Sequence, residues 1–190
     1  MTPHVKITAP ILVAGLLGAA ESSAAEMTDR DRFELHQAYA MLAVRVLEEE
    51  QSVVGVADHC AAKSAGSPSL QAAFAQWRQR NQVLYGRAHT ILSPAFYDKV
   101  VGPAVASERG KAMRQATISL VPHYQGEARA RAQSTDPATL RATCAELEKK
   151  LGAGELDYRR QQPAAFRIVE RIDLDNPLRY SQEQLVELAR

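Results

Sequence analysis

The chain has 190 residues, 46% of them apolar, and its 23 Lys and Arg stand against 22 Asp and Glu for a net charge of +1. That length suits one domain with a full core, and 10 Gly and 9 Pro are too few for a disordered or collagen-like chain. The near-neutral balance argues against a dedicated nucleic-acid binder.

Residues 1–25 read as a cleaved secretory signal peptide, leaving 26–190 as a single helical-bundle domain. Lys6 supplies a positive start, Ile7 to Ala20 is uncharged and mostly apolar, and Ser23 and Ala25 fit the small positions of a cleavage site. The apolar run is short for a membrane span of about 20 residues and contains Pro10. No later run approaches that length, so no membrane span is expected after cleavage. The expected location is the bacterial periplasm or the extracellular space. In that setting an even pair of cysteines, Cys60 and Cys144, is most simply one disulfide.

From Thr28 or Asp29, either of which can cap a helix, Leu35, Tyr39, Leu42, Val46, Glu49, Val53, Val56 and Cys60 repeat at steps of four and three. They predict a long helix over about 30–62, stopped near Gly66. The second helix opens with Ser67 as cap and Pro68 at its first position. Leu70, Phe74, Trp77, Asn81, Leu84, Ala88 and Ile91 form its seam. The short connection makes the two helices antiparallel. A level register places Cys60 near Leu70 and sets Glu49, the polar residue of one seam, opposite Asn81, the polar residue of the other. The two are therefore expected to share a buried hydrogen bond that fixes register.

A turn at Ser93-Pro94 and an apolar patch at Tyr97, Val100 and Val101 precede Gly102-Pro103. Pro103 is read as the start of a third helix with Ala104, Val105, Ala112, Met113, Ala116 and Leu120 on its apolar face, ended by Val121-Pro122. His123 to Thr135 reads as a loop, or a loop with one helical turn. Asp136-Pro137 starts a fourth helix whose seam is Leu140, Cys144, Leu147 and Leu151, stopped by Gly152-Ala153-Gly154. The fold class is all-α, an antiparallel up-down-up-down four-helix bundle. Cys60 in the last turn of the first helix and Cys144 in the second turn of the fourth then lie at one end on adjacent helices. Beyond Gly154, Phe166, Val169 and Ile172 mark a short helix, and Ser181 to Gln184 fits a capping box before a last one.

No catalytic pattern stands out. Beyond the signal segment, the histidines His36, His59, His89 and His123 show no HxxxH, HExxH or Cys–His metal spacing, CxxCH is absent, and there is neither a Gly-rich phosphate loop nor GxSxG. No metal, haem or other cofactor is expected. Of the run Glu48-Glu49-Glu50 only Glu49 points inward by period, as a register-setting residue. Trp77, Arg78 and Arg80 are the densest cluster of residues typical of protein interfaces and are read as a candidate interface, against a core tryptophan with solvated arginines.

In size, compartment and class the chain is similar to the small exported one-disulfide helical proteins of Gram-negative bacteria, some of which serve as immunity partners of cell-wall-degrading toxins. The similarity transfers no residue roles. The expectation is an exported non-enzymatic protein that binds a protein partner, as an inhibitor or immunity protein does. The alternative is a carrier of a lipid, cofactor or other small molecule in a cavity between the helices.

Overall fold

The computed structural model describes residues 27–63, 67–134, 136–161, 163–181, 184, 185 and 187. The signal-peptide reading and the stop at Gly66 lie outside these residues.

The first apolar repeat becomes α1 (Asp29–Ala62). Thr28 caps it in a reciprocal box: its hydroxyl accepts the Asp31 N–H at 3.2 Å, and the Asp31 carboxylate accepts the Thr28 N–H at 3.0 Å. Ser67, Ser93 and Ser107 repeat the device. Their hydroxyls accept the N–H of Leu70, Phe96 and Gly110, and they open α2 (Pro68–Ile91), α3 (Pro94–Val101) and α4 (Glu108–Gln133). Asp136 caps α5 (Pro137–Gly152); α6 (Tyr158–Gln161) and α7 (Ala164–Arg171) follow. Short 3-10 turns span Gly102–Ala106 and Pro177–Arg179. Among the described residues there is no strand.

The expected third helix is corrected at both ends. Gly102, at a φ of 61°, breaks the chain into the 3-10 turn, so α4 starts after Ser107 rather than at Pro103. It then runs through Pro122 to Gln133 instead of stopping there. A proline inside a helix costs about 3 kcal/mol. Here packing continues on both sides of it, with Thr117 and Ala132 buried and Tyr124 and Ala128 half-buried on the side toward α1. The expected apolar face is corrected too: Ala112 and Ala116 are exposed. A close approach of α4 to α1 lies further along the helix. At Gly55 of α1 an added Cβ would stand 2.8 Å from the Ala128 carbonyl oxygen, so small residues, not large apolar ones, make this contact.

α1 is the central rod. It packs against α2, α3, α4, α5 and α7, and α2 packs against α5 and α7 as well. The seams of α2, α5 and α7 bury as their spacing predicts, while in α1 Leu42, Glu49 and Val56 are half-buried. Leu140, Cys144, Leu147 and Leu151 of α5 are all buried, as are Phe166, Val169 and Ile172, and every seam residue of α2 except the half-buried Phe74. Burial of each such side chain contributes roughly 1.5–3 kcal/mol. Cys60 and Cys144 form the disulfide, with their Cα atoms 5.9 Å apart. Its separation of 84 residues corresponds to about 4–5 kcal/mol in the loop-entropy description.

Contacts set the helix directions. The Arg109 guanidinium lies over the Phe33 ring, and Ala128 lies against Gly55, so α4 runs parallel to α1. Ser67 donates to Glu148 at 2.6 Å and Arg80 to the Leu151 carbonyl at 2.8 Å, so α5 runs alongside α2 and against α1. The tail docks on this frame: the Tyr39 hydroxyl donates to the Pro177 carbonyl at 2.7 Å, and Lys99 to that of Leu174 at 3.2 Å. The capping box at Ser181 and Gln184 is present, and Leu185 is buried.

The register of the α1–α2 hairpin differs from the level pairing. Glu50 bonds His89 at 2.7 Å, where a level hairpin would set it against Arg80. That stagger moves Glu49 and Asn81 apart along the axis by on the order of 10 Å.

Candidate functional site

Asn81 is buried, as its seam position requires, but it does not meet Glu49. Its amide nitrogen donates to the Trp77 carbonyl at 2.7 Å and to Asp157 at 3.2 Å, and its oxygen accepts the Tyr158 N–H at 3.0 Å. The expected Glu49–Asn81 pair is thus replaced by a link from α2 to the start of α6. The stagger of the hairpin and the turn after α5 cause this. Glu155 N–H bonds back to the Lys150 carbonyl at 2.9 Å, and Gly154, at a φ of 66°, reverses the chain, laying residues 155–158 across α2.

The same segment absorbs most of the Trp77, Arg78 and Arg80 cluster. Trp77 is fully buried, and its indole N–H donates to the Leu156 carbonyl at 2.9 Å. Arg80 grips the Asp157 carboxylate with two nitrogens, at 2.8 and 3.2 Å, besides its bond to Leu151. Arg87, one face further along α2, donates to the carbonyls of Val169 and Ile172. Trp77 and Arg80 therefore serve an interface inside the chain. Arg78 stays outward, 5.6 Å from the Phe74 ring centre, on the rim of a shallow polar basin with Glu50, His89 and Arg129.

The feature that remains open lies where a closed bundle would have none. α4 and α5 both lean on α1, but neither packs extensively on the other. Between them α1 exposes a stripe: Glu49, Ser52 and Val56 line both of two adjoining hollows, of about 400 and 480 Å³. Toward α4 the wall is Tyr124, Ala128, Arg131 and Ala132; toward α5 it is Ala142, Thr143, Glu146, Leu147 and Lys150. Ser52 is exposed at the centre of the floor, and Glu49 and Val56 are half-buried. The disulfide fastens α1 to α5 at one end of this groove. The heptad spacing did find Glu49 and Val56. It assigned them to a sealed seam because it could not tell a helix neighbour from its absence.

The rim charges are mostly satisfied on their own helices. Arg131 pairs with Glu127 at 3.0 Å, Lys150 with Glu146 at 3.5 Å, and Glu48 with Arg45 at 3.9 Å. Glu49 has no ion pair or hydrogen bond among the described residues. Beneath it, the buried Tyr85 hydroxyl finds no hydrogen-bond partner among them either. Burial, then the charges of Glu49 and Glu50, push that phenol far above its ordinary range.

Two histidines are set apart by their surroundings. His36 is buried edge-on to the Tyr97 ring, 4.6 Å between centres, and burial lowers its pKa to about 4. The bond to Glu50 raises that of His89. Among the described residues no group of three or more His, Cys, Asp or Glu side chains could hold one metal ion, and no helix is long and apolar enough to cross a membrane. No protein-family model, curated protein or solved structure matches the chain.

Proposed function

We propose that the chain is an exported, non-enzymatic protein of the bacterial periplasm or exterior that binds a protein partner, in the manner of an inhibitor or immunity protein. In this reading its four long helices are an up-down-up-down bundle opened along one seam. The observation that supports it is the groove itself: α1, α4 and α5 line an open cleft of the kind into which a partner's helix can lay its apolar face. The disulfide suits an oxidising compartment and holds one wall in place, which lowers the ordering that binding must impose.

The test is a photo-crosslinking residue placed at Ser52, with a second at the exposed Gln76 on the outer side of α2, in cells producing the protein. A discrete protein adduct from position 52 and none from position 76 is the expected result. No adduct, or the same adducts from both, would overturn the groove as the binding surface. The second reading, a small-molecule carrier, draws on volumes within the usual range of ligand sites, about 300–1,000 Å³. A bound compound seen by native mass spectrometry of freshly purified protein would favour it.

A further inference from the structure

We infer that the groove between α4 and α5 is built for a basic amphipathic helix of a protein partner, with one Lys or Arg of that helix seated on Glu49. The inference rests on the reading of this groove as the partner-binding surface and adds the chemistry of what enters it.

The shape argues for a helix. Floor and walls are three helix faces, and the floor residues Glu49, Ser52 and Val56 follow one another at the spacing of a single helical stripe. From first to last they rise about 10 Å, close to two turns. A helix laid along this stripe packs its side chains between those of α1 and α5, as facing helices do at interaxial distances of about 8–10 Å.

The charge argues for a basic one. The groove carries Arg131 and Lys150 as well as its acids, but each of those cations is already paired with a glutamate one turn away on its own helix. Glu49 is the charge left over: half-buried, at the floor of both hollows, and without a partner among the described residues. Half-burial removes part of its hydration, and an incoming guanidinium or ammonium restores the lost interaction. Val56 and Leu147 beside it present the apolar surface that the flanks of such a helix cover. An acidic or purely apolar helix leaves that carboxylate buried and unpaired.

The test uses a displayed library of helix-constrained peptides, randomised on one face and selected on the intact disulfide-bonded protein. Recovered peptides are then measured against Glu49→Gln, Ser52→Trp and, as an outer-face control, Gln76→Trp. Enrichment of peptides with a Lys or Arg between apolar residues at helical spacing is expected. Their affinity should fall roughly 10-fold or more with Glu49→Gln, the size of a charge-assisted bond, vanish with Ser52→Trp, and hold with Gln76→Trp. Peptides that need the groove but carry no basic residue, or that ignore Glu49→Gln, would overturn the inference and leave partner binding at the groove intact. Peptides indifferent to Ser52→Trp, or no enrichment at all, would overturn both.

Discussion

Asn81, buried in the middle of α2, accepts the backbone N–H of Tyr158 at 3.0 Å, joining positions 77 residues apart in the chain. Its own N–H groups are spent on Trp77 and Asp157. Asn81→Ala strands the Tyr158 N–H in a buried setting, and an unmet buried donor costs about 1–3 kcal/mol. Unfolding in urea should show a loss of about 2–3 kcal/mol. Glu49→Gln should stay within about 0.5 kcal/mol, as for a side chain with no internal partner. A double-mutant cycle of the two should be additive; a coupling of about 1 kcal/mol or more would restore the direct pair.

The approach of α1 to α4 can be tested with two glycines. Gly→Ala inside a helix ordinarily stabilises by about 0.5–1 kcal/mol. At Gly86, on the exposed side of α2, an added Cβ meets nothing within 4 Å, and that gain is expected. At Gly55 the Cβ meets the Ala128 backbone 2.8–3.0 Å away, so the helices must part and the sign reverses to a loss of about 1–3 kcal/mol. Thermal melts of the two single variants give the comparison; a stabilised Gly55→Ala would mean that α4 does not approach α1 this closely.

His36 should make folding acid-sensitive. Its pKa in the folded chain, about 4, lies below the ordinary 6.5, so between those values the unfolded chain binds the extra proton. Stability is therefore full above about pH 6.5 and declines as pH falls toward 4, by about 3 kcal/mol at most. His89 acts in the opposite sense. Its raised pKa gives a contribution that is full below pH 6.5 and is lost as pH rises through the raised value. The carboxylates held below their usual range, Asp31, Glu148 and Asp173, lose their contribution only further into acid. Unfolding free energies of His36→Phe measured from about pH 7 to 4 should show a shallower decline than the parent; an unchanged slope would remove His36 as its source.

Much of the fold was legible because helix signals are local. Ser67 with Pro68, Asp136 with Pro137, and the repeats at Leu70 to Ile91 and Leu140 to Leu151 are decided within a turn or two of chain, and all emerge as read. The cysteine pair followed from topology and is formed. The failures share one cause, the identity of the neighbour. Pro122 looked like a stop because nothing in its surroundings in sequence announced the contact at Gly55 and Ala128 that carries α4 past it. Glu49 had the right period but the wrong opposite number, since a stagger of the hairpin leaves every repeat unchanged while moving each residue to a new level. Trp77 and Arg80 carried an interface signature that was real, yet the surface they meet is residues 151–157 of the same chain. The candidate groove was the least legible, because an open seam and a closed one have the same heptads.

The most direct measurement is chemical access to Ser52 in the folded protein. Ser52→Cys is treated with a bulky maleimide under native, non-reducing conditions, with Gln76→Cys as the exposed reference and Val53→Cys as the buried one. An open seam between α4 and α5 predicts that position 52 reacts at a rate near that of position 76 and far above that of position 53. Reaction at position 52 only as slowly as at position 53, on the timescale of unfolding, would contradict it and close the groove.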